Sequence, residues 1–143
     1  MLIAKQNPIR PAHARSFRYY SDRLLARALS ALFAGEHEVD HVRIKFGPGV
    51  ADAEWIRRLS EEGHWIVISG DVRIARRKAE QVAFRNSRLI GFFLAPALNS
   101  AKVTKQMQRI LALWDDIEVI ANRVASGSMY ELPIRGKIRQ LRM

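Results

Sequence analysis

WIVISGD, residues 65–71, is an unbroken run of aromatic and β-branched residues that stops at a glycine and a carboxylate. A strand with no polar alternation is covered on both faces, as at the centre of a parallel sheet. Gly70 lets the backbone turn sharply behind that strand, so Asp71 stands at its carboxyl end. The residues on either side change period. Upstream, Trp55, Ile56 and Leu59 recur at helical spacing within Asp52–Glu62, and Gly63 closes that helix. Downstream, a basic helix from about Arg76 to Asn86 leads into a fourth strand, Leu89–Leu94 (LIGFFL).

The same alternation extends to both ends. The first sixteen residues hold two prolines and little periodicity, which predicts a mobile leader over residues 1–16. Phe17–Tyr20 (FRYY) reads as the first strand, and Asp22–Phe33 as a helix with Leu25, Leu29, Leu32 and Phe33 on one face. Glu38–Ile44 is the second strand, followed by the turn GPG at Gly47–Gly49. Beyond the fourth strand, Ser100 is placed to cap a long helical stretch with a break near Asp115. After the turn at Ser126–Ser128 the tail reads as extended and hairpin-like. Strand and helix alternate four times, so the chain is expected to be α/β. The architecture is a three-layer sandwich with a mainly parallel central sheet, in one domain spanning residues 17–143.

Composition narrows the function classes. The 143 residues are 48% hydrophobic, enough for one core and too few for two independent domains. There is no cysteine, which excludes disulfides, thiolate zinc sites and cysteine nucleophiles. No segment has the apolar length of a membrane span or a signal peptide, so a soluble cytoplasmic protein is expected, with no membrane partner. The net charge of +10 is unevenly spread. Residues 17–71 carry seven Lys/Arg against nine Asp/Glu, whereas residues 72–109 carry nine against one. Such a basic block favours a polyanion, with nucleic acid foremost, over the alternatives of a solvated face or an acidic protein partner.

Ligands of open parallel sheets bind outside the carboxyl ends of the strands. Three successive junctions place acids there: Asp22 after the first strand, Asp52 and Glu54 after the second, and Asp71 after the third. A carboxylate cluster needs positive charge among it, and Mg²⁺ or Mn²⁺ suits oxygen ligands. Each acid also has a structural reading. Asp22 and Asp52 can cap their helices, Glu54 can favour the helix dipole, and Gly-Asp is ordinary turn chemistry. Glu80, inside the basic helix, is a remote supporting acid or a surface charge. Arg73, Arg76, Arg77 and Lys78 either bind a nucleic-acid backbone or keep the surface solvated. His13, His37, His41 and His64 have no zinc-like spacing.

The pieces LARAL (25–29), HEVDHVRIKFGPGVADAEWI (37–56), WIVISGDVRI (65–74), FFLAP (92–96), and WDDIEVIANRV with YELPIRGKI from Trp114 onward keep a consistent order. In that order and spacing the chain from Phe17 to Leu141 resembles the PIN-like domains of VapC-type toxins from bacterial toxin–antitoxin pairs. The resemblance implies a metal-dependent endoribonuclease. Strand-end acids would hold Mg²⁺ or Mn²⁺, RNA would be the substrate, and a cognate antitoxin would block the site. Asp71 matches the family's aspartate after the third strand, and Asp52 and Glu54 match the acidic segment that opens the second helix. Alignment on LARAL puts Arg18 where the family has its first aspartate; Asp22 is the nearest acid. The same departure implies an alternative, a catalytically weak or inactive PIN-like module that binds RNA or a protein. A nuclease acting on DNA or a nucleotide hydrolase is a third class, since phosphate contacts carry no sugar information. Homodimers are common among such domains.

Overall fold

The structure, a computed structural model, describes residues 2–6, 18–20, 23–63, 65–71 and 73–142. In chain order the elements are β1 (Leu2–Gln6), β2 (Arg18–Tyr20), α1 (Arg23–Leu32), β3 (His37–His41), α2 (Val42–Phe46) and α3 (Asp52–Glu62). β4 (Ile66–Ser69), α4 (Arg73–Arg76), α5 (Lys78–Arg85), β5 (Ile90–Leu94) and α6 (Pro96–Asn99) follow. The chain ends with α7 (Val103–Ala112), α8 (Trp114–Arg123), β6 (Met129–Leu132) and β7 (Arg139–Gln140).

One sheet holds the strands in the order β2-β1-β4-β5-β6-β7, with β3 joined to β1. β4, β5 and β6 are parallel neighbours, while β1 is antiparallel to β2, β3 and β4, and β7 to β6. Five of the seven strands therefore run the same way, and only β1 and β7 oppose them. This is the α/β fold with a mainly parallel sheet that the alternation predicts.

Every residue of β4 and of β5 is buried, so both faces of the sheet centre are covered. Successive side chains of β5 serve opposite faces. Phe93 meets Phe84 of α5 edge-on, with ring centroids 6.1 Å apart. Phe92 turns the other way and stacks on Tyr130 of β6, its register partner. The helices fall into two packed groups, α3 with α4 and α5, and α1 with α6, α7 and α8.

Several boundaries differ from the sequence expectation, each for a local reason. Leu2–Gln6, expected in a mobile leader, form β1, whose backbone pairs with both β2 and β4. β3 stops at His41 and the chain turns helical over Val42–Phe46, although VRI reads as extended. His41 Nδ1 accepts from the Arg43 amide at 3.2 Å, a side-chain cap that starts a helix where hydropathy predicts a strand. The basic helix begins earlier, at Arg73, and breaks where Arg77 is extended (ψ 126°). Lys102 rather than Ser100 precedes α7, and the break before α8 falls at Leu113 rather than Asp115.

Candidate active site

The sheet brings the carboxyl ends of β2 and β4 to one edge. Tyr20 and Ile68 both stand opposite Leu2, so the chain leaves β2 and β4 on the same side. Asp22 would follow β2 there, but it lies outside the described residues. Arg18 is the first residue of β2, opposite Ala4, whereas Tyr20 is the strand's carboxyl end.

Asp71 follows β4 through Gly70. Its own amide donates to Ser69 Oγ at 2.9 Å, and its Oδ1 accepts from the Arg73 amide at 3.0 Å, which opens α4. The Arg73 guanidinium grips the same carboxylate. Nε lies 2.9 Å from Oδ1 and 3.0 Å from Oδ2, and Nη2 lies 2.6 Å from Oδ2. Charge-assisted forks of this kind are the strong form of the arginine–carboxylate bond. The Arg73 hydrogen bonds hold the Asp71 carboxyl below the usual carboxylate range; partial burial opposes them, and Arg77 adds to them. Asp71 in turn raises Arg73, with Asp52 and Glu80 contributing from nearby.

Asp52 and Glu54 divide clearly. Asp52 is the first residue of α3, where Ala51 is the cap residue and makes no side-chain cap bond. Asp52 Oδ1 accepts from the indole of the buried Trp55 at 2.9 Å, which holds the carboxylate half-buried. Glu54 is committed to its own helix, 2.8 Å from Arg57 and 4.0 Å from Arg58. Asp71 contacts the Arg73 guanidinium, whereas Asp52 and Glu80 act on it only through space and Glu54 pairs with Arg57 and Arg58. Glu80 also lies 4.0 Å from Arg77.

Of the predicted RNA-binding residues, Arg76, Arg77 and Lys78 are exposed around the break between α4 and α5, while Arg73 is engaged by Asp71. Arg109, part of the basic block, is likewise engaged: its Nε donates to Pro133 O at 2.8 Å and its Nη2 to Gly136 O. One neighbour escaped the sequence reading. A Cβ at Gly70 would come within 1.8 Å of Asn99 Oδ1, so the amide at the end of α6 packs against the turn that presents Asp71. The glycine was a visible signal of close approach; its partner, in a different element, was not.

The candidate donors Asp52 and Asp71 are carboxylates, the oxygen ligands that a hard divalent cation prefers, and Arg73 already sets positive charge against Asp71. Among the described residues no group of three or more His, Asp or Glu is close enough to share an ion.

A family model described as a PIN like domain matches residues 19–96, more than half of the chain. The chain belongs to the PIN-like domain family. The match runs from β2 through β5 and takes in Asp52, Asp71 and the basic segment. PIN-like domains are commonly nucleases, usually with divalent metals. Comparison with curated proteins and with solved structures gave no significant match. Among the described residues no helix is long and apolar enough to cross a membrane.

Proposed function

We propose that the chain is a metal-dependent endoribonuclease of the VapC toxin type, with Asp71 and Asp52 as its metal-holding acids. The observation that carries this reading is that Asp71, at the end of strand β4, is gripped by Arg73, while Asp52, at the start of helix α3, acts on the same guanidinium through space. Asp22, Glu54 and Glu80 are the further acids available to the site. Mg²⁺ or Mn²⁺ bound there would activate a water and stabilise charge developing on a phosphate. The chain's own contribution is positional. Ser69 and the Arg73 amide orient Asp71, and the Trp55 indole orients Asp52. Arg76, Arg77 and Lys78 supply backbone contacts to RNA beside the acids, and Arg73 balances the carboxylates when no other cation does.

In this reading the partner is a cognate antitoxin protein that covers the acidic edge in the cytoplasm, and a homodimer is one assembly open to it. Arg73 performs from within the chain the neutralisation that an inserted basic residue of an antitoxin would supply. RNA incubated with the protein and millimolar Mn²⁺ is expected to be cut internally, and chelation of the metal is expected to stop it.

The grip of Arg73 on Asp71, with Arg18 in the first aspartate slot, also favours a second reading: a PIN-like module that binds RNA without cutting it. That reading predicts salt-sensitive RNA binding, no cleavage, and no rise in melting temperature with millimolar Mg²⁺ or Mn²⁺.

A further inference from the structure

A groove lies on the edge of the sheet opposite Asp71, at the amino-terminal end of β6. It encloses about 450 Å³, within the range of small-ligand pockets (~300–1,000 Å³). Arg85, Ser126, Ser128, Gln140 and Arg142 supply its polar lining, and no carboxylate side chain is among the lining residues. Because β6 runs parallel to β4, the groove sits at the end of the sheet away from Asp71.

The fold builds this arrangement from three elements. Gly127 has φ 86° and donates its amide to Leu89 O, which draws the Ser126–Ser128 turn onto the chain that follows α5. A Cβ at Gly127 would lie 2.0 Å from Arg85 O, so glycine is what lets the turn reach the end of α5 and stand beside Arg85. From the other side, the Leu141 amide donates to Met129 O at 2.9 Å and brings Arg142 alongside. Among the described residues neither Arg85 nor Arg142 has a carboxylate partner, and both are exposed. Arg85 in the last turn of α5 suits that helix's dipole. Arg142 follows β7 and has no helix end to serve.

We propose that this groove is a phosphate-binding subsite, separate from the acidic edge, in which Arg85 and Arg142 hold one phosphate or two adjacent ones. Guanidinium forks match phosphate oxygens in geometry and charge, and the Ser126 hydroxyl is of the size and polarity to add a donor, whereas Ser128 Oγ donates to Ala125 O at 2.7 Å and shapes the turn. The phosphate belongs either to an RNA strand or to a small phosphorylated molecule, and two probes separate these sources. The subsite does not depend on cleavage at Asp71 and stands or falls separately from the nuclease reading.

The test uses the full chain, the double variant Arg85→Ala/Arg142→Ala, the charge-preserving Arg85→Lys/Arg142→Lys, and Arg76→Ala/Arg77→Ala on the other edge. Amide NMR shifts are followed on addition of inorganic pyrophosphate, and an oligoribonucleotide is titrated by fluorescence anisotropy over a series of salt concentrations. Pyrophosphate is expected to shift the amides of 126–128 in the wild type and in the Arg76/Arg77 variant. The lysine variant is expected to keep these shifts and the alanine variant to lose them. If an RNA strand is the ligand, the alanine variant binds it on the order of tenfold more weakly, with a log–log salt slope shallower by about 1.4 for two lost contacts. Loss of the pyrophosphate shifts alone, with RNA binding unchanged, also supports the subsite and assigns it to a small ligand. Wild-type behaviour of the alanine variant toward both probes overturns the proposal.

Discussion

Asp71 is both a turn residue and a candidate catalytic acid, and its contacts separate these roles. The cap is the bond from the Arg73 amide; the ion pair is the fork from the Arg73 side chain. Asp71→Asn retains an acceptor for the cap and removes the charge, so it is the informative substitution. Because the fork depresses the folded-state value of Asp71, the pair adds stability above the unfolded aspartate pKa, about 3.9, and loses it as pH falls through the folded value. The melting-temperature gap between wild type and Asp71→Asn is therefore expected to be constant near neutral pH and to close in acid. The gap should be small, since both side chains are partly exposed. Replacing Arg73 by Gln should raise the Asp71 pKa toward its ordinary value, read by carboxyl-detected NMR titration; an unmoved titration would mean that the fork is not formed in solution. The sequence made Asp71 legible through its position after WIVIS. It left Asp52 and Glu54 equivalent, because their separation rests on Trp55 and Arg57, whose orientations depend on packing.

At the scale of elements, β4 and β5 were readable because a strand buried on both faces leaves an unbroken apolar run. α2 was not, since its cap comes from His41, a residue that also fits a strand. The antiparallel place of β1 was hidden for another reason: strand pairing is a long-range property with no local periodicity. Gly91 tests the packing between β5 and α5. A Cβ there would lie 2.7 Å from Phe93 Cε2 and 2.9 Å from Phe84 Cζ, both buried rings. Gly91→Ala is expected to cost about 1–3 kcal/mol in denaturant unfolding, as overpacking does. Gly70→Ala meets only the exposed Asn99 side chain, which can swing away, so its stability cost should be smaller.

Over the whole molecule, the charge asymmetry seen in the sequence becomes a spatial division. Asp71 stands at the carboxyl edge of the sheet, Arg76, Arg77 and Lys78 are exposed in the segment that follows it, and Arg85 and Arg142 lie at the far end. RNA affinity is therefore expected to fall steeply as salt rises, and Arg76→Ala/Arg77→Ala should make that salt slope shallower. The family match ends at Pro96, short of the residues to Leu141 over which the sequence resembles such domains, and α7, α8, β6 and β7 lie beyond it. The central claim is that Asp71 belongs to a metal-dependent ribonuclease centre. Its most direct test is single-turnover cleavage of an oligoribonucleotide in Mn²⁺ by wild type and by Asp71→Asn at matched RNA occupancy. The predicted result is cleavage by the wild type and a loss on the order of a hundredfold or more in the variant, at least the effect of removing a residue that only orients a metal ligand. Equal rates in the two proteins, or no cleavage by either while RNA remains bound, would contradict it.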